Sequence, residues 1–336
     1  MTQVERAPAP PPLRAAASRY RVSYFLTQPT LRVWVLAVGL LIFYFVLSPS
    51  STNFGSLNLL TENALPLAWV AAGQMAVVTA AQIDLSVGSV MSLSTAIAAT
   101  QMGSSAVDVF ATILVIVIIG AALGAVNGYF VAYRGMSAFI VTIATWSMID
   151  GLALLVLPSA GGAVPAGFAN VINTTSPVSF GAIALVLSLL IWMWARTTAG
   201  FMRLRAVGSS AEKAHWAGVA ERRTTLMAFM FSGFAAACAG LVLAGITESG
   251  DPNIGTSYIL NGLATAVIGG VSLFGGSGSF AGVVGGAMVL TVVNDVVFAL
   301  GLNSYLEPAI VGGILAVAVL TTGLGSQGSI IQGVDQ

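Results

Sequence analysis

Three carboxylates and three carboxamides sit inside or beside long apolar stretches of this chain: Asp84, Asp150 and Asp295, with Asn127, Asn261 and Asn294. An ionisable side chain in hydrocarbon is costly, and where one persists it faces a cavity, a partner or a proton relay. No lysine or arginine within those stretches can neutralise Asp150 or Asp295. Asn127, Asp150, Asn261, Asn294 and Asp295 are therefore candidates for lining a solute path, where such groups offer hydrogen bonds to hydroxyls. Bonds across packed helices are the competing reading of the same residues. Catalysis has less to work with. One histidine, His215, and one cysteine, Cys238, make no nucleophile–base pair, no metal-ligand spacing and no internal disulfide. The run Gly275-Gly276-Ser277-Gly278 lacks the Lys-Ser/Thr of a phosphate-binding loop. An ATP-driven step would need an ATPase on another chain.

Three local motifs carry the remaining signal. Asp84, Ser86 and Gly88 fall in Asp84-Leu85-Ser86-Val87-Gly88-Ser89, between two apolar runs. An acidic residue there can cap the next helix at its positive end, and the small residues permit close packing. Gly269-Gly270 and Gly275-Gly276 belong to the glycine-densest part of the chain, 262–286, which predicts a tight turn with close helix contact. The third motif is Gly208-Ser209-Ser210-Ala211-Glu212, continuing through Lys213, Ala214 and His215 to Gly218. Ser209 and Glu212 have the spacing of a capping box, so a short helix to about Ala217 is expected, ending at Gly218. It is either a docking piece or a connector.

The elements that must position these residues are membrane-spanning. The chain is 57% hydrophobic and only 7% charged, against about 25% charged in soluble proteins. Crossing a hydrocarbon core of about 30 Å takes about 20 helical residues, and uncharged runs such as 151–195 and 252–294 exceed that. The expected fold is all-α, a polytopic membrane protein with spans at roughly 33–48, 64–82, 85–103, 109–131, 137–157, 179–195, 224–246, 257–273, 281–300 and 305–322. The eighth is rich in glycine and open to being broken or re-entrant. Positive charge marks the cytoplasmic side of short loops. With both termini inside, all twelve basic residues fall on one face, and the outer loops hold Glu62, Asp108, Glu248, Asp251 and Glu307. Residues 1–32 read as a flexible cytoplasmic tail, 33–322 as one transmembrane domain with an inner loop at 196–223, and 323–336 as a second cytoplasmic tail. The outer loop at 158–178 is small-residue-rich and irregular.

Several of these segments resemble one family. Gln82-Ile83-Asp84-Leu85-Ser86-Val87-Gly88-Ser89 is similar to the GxDLSVGS signature of ribose/xylose-type ABC transporter permeases. Asn127-Gly128 with Phe139-Ile140-Val141-Thr142 resembles their NG…FIxT segment. The stretch from Ala206 through Ala214, with Gly218 behind it, resembles their AxGxNxxAAxxxGI cytoplasmic loop. Val267-Ile268-Gly269-Gly270-Val271-Ser272-Leu273-Phe274-Gly275-Gly276 is similar to VLGGTSLxGG. The matches run in order over about 73–320, and branched-chain amino-acid permeases share parts of them.

The resemblance implies a permease subunit in a bacterial plasma membrane, paired with a second copy or a paralogue. Two ABC ATPase subunits, or one tandem ATPase, would bind ATP and Mg, and an extracytoplasmic binding protein would deliver a monosaccharide or similar polyol. It also implies that Gly208, Ser209, Ser210, Ala211, Glu212, Lys213, Ala214, His215 and Gly218 form a coupling helix for the ATPase. No cofactor on this chain and no nucleic-acid partner are expected. The chain departs from the family where Tyr258-Ile259-Leu260-Asn261 replaces Tyr-Glu-Leu-Asp, where Ser210 replaces the loop Asn, and where Asn294-Asp295 replaces Asn-Gly. It also departs near Asp150, where relatives often carry Arg. Against the importer reading stand a proton-coupled secondary transporter using Asp84, Asp150 or Asp295, an ABC permease for an amino acid or nucleoside, and a non-transporting scaffold.

Overall fold

The computed structural model describes residues 28–173, 178–303, 306, 308–313 and 316. Residues 1–27 of the expected first tail, all of the second and much of the tenth span lie outside them. Among the described residues the regular elements are helices: α1 Pro29–Leu47, α2 Phe54–Thr79, α3 Val87–Gln101, α4 Ala106–Arg134, α5 Ala138–Val156 and the short α6 Ala166–Ile172. Then come α7 Phe180–Ala195, α8 Ala199–Ser209, α9 Ala211–Trp216, α10 Glu221–Thr247, α11 Thr256–Ile268 and α12 Phe280–Ala299. Residues 308–313 are helical again. Among the described residues five helices are long and apolar enough to cross a membrane, or six if α7 and α8, bent by 77°, count as one span.

Capping residues fix several of the starts. Asn53 Oδ1 accepts from Ser56 N at 2.9 Å, Ser105 Oγ from Asp108 N at 3.1 Å, and Ser179 Oγ from Ala182 N at 3.0 Å. α2 thus begins ten residues before the expected 64, and Glu62, placed in an outer loop by its charge, is buried within it. The polar run Ser56 to Asn63 hides this first part of the helix from an apolar count. The expected 257–273 span ends early for a different reason. Gly269 packs against the backbone of Gly282, and Gly270 takes φ +84°, a left-handed conformation that suits glycine. Residues 269–279 then run on without helix.

α2, α3 and α10 form the interior. From Ala64 to Thr79 almost every residue of α2 is buried, the mark of a helix enclosed on all sides. α1, α4 and α5 keep broad apolar faces open, with Val46, Phe110 and Leu155 more than two-thirds exposed. The most extensive helix contact is α4 with α10. Gly120, Gly124 and Gly128 recur every fourth residue, on one helix face, and admit the α10 backbone at Gly233, Phe229 and Leu226. Small-residue seams of this kind let dispersion act between backbones where lipid removes the hydrophobic drive.

Contacts sort the loops to two ends. At one, Gly276 N donates to Thr79 O at 2.9 Å, and Trp34 Nε1 donates to Ala281 O at 3.0 Å. At the other, Gly161 and Gly250 exchange both amide bonds at 2.9 Å, and Thr95 Oγ1 donates to Asp251 O at 3.0 Å. The eight basic residues of the described chain (Arg32, Arg134, Arg196, Arg203, Arg205, Lys213, Arg222 and Arg223) belong to the first end. Asp108, Glu248 and Asp251 belong to the second.

A Cβ on Gly124 would overlap the Phe229 carbonyl oxygen, whereas one on Gly39, on the open face of α1, meets nothing within 4 Å. Gly124→Val should therefore lower the thermal midpoint in detergent by an amount equivalent to about 1–3 kcal/mol. Gly39→Val should leave it unchanged. Equal midpoints for the two variants would remove the seam from this account.

Candidate functional site

Three of the five path candidates meet. Asn261 from α11 and Asn294 and Asp295 from α12 line one cavity with Asn63, Pro66 and Leu67 of α2, Leu243 and Ile246 of α10, and Ser257, Tyr258 and Thr291. It lies in the half of the bundle toward the acidic end. Its volume is about 250 Å³, room for about eight waters at about 30 Å³ each. Its wall mixes amides, hydroxyls and one carboxylate with Pro66, Leu67, Leu243 and Ile246. Pro66 also lacks the amide that would bond to the Glu62 carbonyl one turn back, so α2 carries its break in regular bonding beside the chamber.

The departures at 258–261 acquire a spatial meaning here. Tyr258 and Asn261 face the chamber. Ile259 is 5% exposed and points at Gly88, while its carbonyl accepts from Gln74 Nε2 at 3.1 Å. Leu260 faces outward at 63% exposure. An apolar side chain at 259 meets packing rather than the chamber.

Asn127 and Asp150 are placed elsewhere. Asn127 is fully buried and its Nδ2 donates to Ser86 Oγ at 2.8 Å. Ser86 in turn donates its Oγ, at 2.7 Å, and its amide, at 2.9 Å, to Asp84 Oδ1. Asp84 therefore secures the turn before α3 through a local bond to Ser86, and Asn127 ties that turn to α4. Gly88 meanwhile packs against the Gly255 backbone. Asp150 is half-buried on α5, which packs on α3 and α4 and away from the chamber.

At the basic end α8 and α9 form a corner seated on the membrane helices. Gly208 lies against the Thr79 carbonyl so closely that a Cβ would overlap it. Arg205 Nε donates to Gly276 O at 3.1 Å, and Gly275 and Gly276 pack on Gly208 and Ser209. Gly269, Gly270, Gly275 and Gly276 thus serve two tasks: the first pair shapes the α11–α12 crossing, and the second pair receives the corner. The cap of α9 is shifted by one residue from the expected box. Ser210 Oγ accepts from Lys213 N at 3.3 Å, while Ser209 ends α8 and donates its Oγ to Arg205 O at 2.8 Å. Ala211, Glu212, Lys213 and His215 are exposed, Ala214 is buried, and Gly218 takes φ +76°. His215 Nδ1 stands 3.9 Å from Glu221 Oε1, too exposed a pair to stabilise much. Two residues went unread in the sequence: Arg205, the clamp on Gly276, and Trp216, 82% exposed at the end of α9. A tryptophan on a short helix within an arginine-rich loop was a legible signal for a contact surface.

Comparison with known proteins decides the family. The family described as branched-chain amino acid transport system / permease component matches residues 55–320. The chain belongs to that permease family. A protein of Sinorhizobium fredii named as a probable ABC transporter permease is 32% identical over 85% of this chain and 85% of its own. The galactose/methyl galactoside import permease of Haemophilus influenzae is 31% identical over 78% and 84%. The ribose import permease of the same organism is 28% identical over 92% and 97%. No solved structure matches. Like the rest of its family the chain is an integral membrane permease component and not an enzyme, and any ATPase is a separate chain.

Replacing Asn127 with Ala should leave the buried Ser86 Oγ without its donor from α4, at a cost of about 1–3 kcal/mol, read as a lower thermal midpoint. Asn261→Ala, at the half-buried chamber wall, should shift the midpoint less. A larger loss at Asn261 than at Asn127 would reverse the assignment of these two amides.

Proposed function

We propose that this chain is the permease subunit of an ABC importer that carries a monosaccharide or related polyol across a bacterial inner membrane. The observation that carries the reading is that α2 joins the two sites. Asn63, at the chamber, and Thr79, under the α8–α9 corner, are sixteen residues apart on one helix, about 24 Å along its axis. A displacement of the corner therefore reaches the chamber along a single helix, whose missing bond at Pro66 lies at the chamber itself.

Ten crossings with both termini in the cytoplasm are consistent with the chain's passage between the basic and acidic ends, since basic loops stay inside. α3 alone, at about 22 Å, falls short of the hydrocarbon core, and its crossing is completed by the buried turn around Asp84. Two ATPase subunits, or one tandem ATPase, would grip the corner; ATP and Mg belong to them. A second permease copy or a paralogue completes the membrane unit, and an extracytoplasmic binding protein delivers the solute to the acidic end. In a two-state device of this kind, ATP and solute act by favouring one arrangement over the other.

Sugar fits the chamber better than an amino acid does. The relatives' names include galactose and ribose. Among the described residues lining the chamber are amides, hydroxyls and one carboxylate, with no Lys or Arg. A neutral polyol finds donors and acceptors there. An amino acid's carboxylate would face Asp295 without a cation to receive it.

In proteoliposomes holding the permease, its ATPase and its binding protein, sugar-loaded binding protein should stimulate ATP hydrolysis and drive uptake. Uptake by the permease alone under a pH gradient would instead establish a secondary transporter. Gly208→Val should cut sugar-stimulated hydrolysis by about 5- to 150-fold, the range of ordinary coupling energies. The exposed Trp216→Ala should reduce co-purification of the ATPase while the permease stays monodisperse. Normal uptake and ATPase recovery in both variants would refute the coupling role of the corner.

A further inference from the structure

A second cavity, of about 1000 Å³, opens between α2, α7, α8 and α10. Its chemistry is opposite to that of the chamber. Trp69, Trp192, Phe231 and Phe234 make an apolar shaft, and Arg203 and Arg223 stand at its basic-end mouth. The shaft follows α10 from Arg223 to Cys238, about 22 Å along the helix axis. That exceeds the about 15 Å half-thickness of a hydrocarbon core, so the shaft runs the full depth of one leaflet.

Both arginines are exposed. Among the described residues neither has a carboxylate within ion-pair distance, and Glu221, the acid nearest in sequence to Arg223, is turned to His215 at 3.9 Å. The mouth also holds Ala220, the cap residue of α10, which offers the first-turn amides no side-chain acceptor. The site is therefore apolar along its length, cationic at one end and open to the bilayer. A sugar would find almost no hydrogen bonds in the shaft, and a soluble anion would leave the shaft unfilled. An amphiphile with an anionic head satisfies both parts. The cytoplasmic leaflet supplies such molecules, and basic pockets between helices on that side bind their head groups.

We propose that this crevice is a binding site for one acidic phospholipid of the cytoplasmic leaflet, its phosphate held by Arg203 and Arg223 and one acyl chain lying between α7 and α10. The inference rests on the membrane placement of the chain and not on which solute it carries. Because the mouth adjoins the α8–α9 corner, the lipid would brace the element that receives the ATPase.

The test uses the assembled transporter in mild detergent, incubated with phosphatidylglycerol or phosphatidylcholine and examined by native mass spectrometry. One phosphatidylglycerol per permease should be retained, with phosphatidylcholine displaced by washing. Arg203→Gln combined with Arg223→Gln should weaken phosphatidylglycerol retention about thirtyfold, from about 1 kcal/mol for each cation–headgroup contact. In vesicles containing phosphatidylglycerol with a diazirine on one acyl chain, photolysis should label residues 231–238. Equal retention of both lipids, or labelling confined to the open faces of α1 and α4, overturns the proposal. It is also overturned if the double variant keeps its lipid but loses the ATPase, since the arginines would then serve the protein partner. Uptake failing while lipid retention holds would count against the transport reading alone.

Discussion

Inside a bilayer every backbone amide and carbonyl must find its partner within the protein, and at the basic end of this bundle two non-helical segments meet that demand together. Residues 80–86 and 269–279, partly buried and partly exposed, leave helical geometry at the basic end of the bundle, and the two segments complete one another. The Thr79 carbonyl, orphaned at the end of α2, accepts the Gly276 amide; the turn at Asp84 is satisfied by Ser86 and held by Asn127. Much else follows from that mutual closure. It fixes where α2 ends and why glycine stands at 208, 275 and 276, where the α8–α9 corner meets backbone closely and Arg205 Nε clamps Gly276 O.

The sequence was most informative where physics is local and least where it depends on distant partners. Uncharged runs and islands of arginine led to nearly all the helices and to the sorting of charge between two ends. The glycine ladder on α4 is legible as a four-residue repeat, although its counterpart on α10 is not. Asn261, Asn294 and Asp295 came from one criterion, polarity in an apolar run, and they converge. Asn127 satisfied the same criterion and proved to be a structural bond, because periodicity cannot say which face of α4 looks at α3. The capping box lay one residue from its place: Ser209 and Ser210 are equivalent in sequence, and only the bend between α8 and α9 selects Ser210. Glu62 was misread for a related reason, since a charged residue in a polar run resembles a loop until the surrounding helices bury it.

The two cavities differ in size and in chemistry. One is small, polar and placed toward the acidic end; the other is large, apolar and open at the basic end. α2 and α10 contribute to both walls, so neither cavity can change shape without the other being felt. The family identity and the sugar permeases among the relatives agree with a chamber rich in neutral hydrogen-bonding groups. The contact surface proposed for the driving subunits is local, a six-residue helix ending in an exposed tryptophan.

The enclosure of α2 has a consequence for how the protein is made. α2 and α3 do not have the length and hydropathy that would carry them across a membrane unaided, and α2 finds its neighbours chiefly in α10, α11 and α12. Those helices leave the ribosome about 140 residues or more later, at about 5–20 residues per second. For some seconds the centre of the molecule therefore exists without the walls that will surround it. α1 and α4, apolar enough to enter lipid on their own account, flank it during that interval. The order of synthesis thus places self-sufficient spans on either side of the dependent ones, and the assembled interior is a late event in the life of each chain.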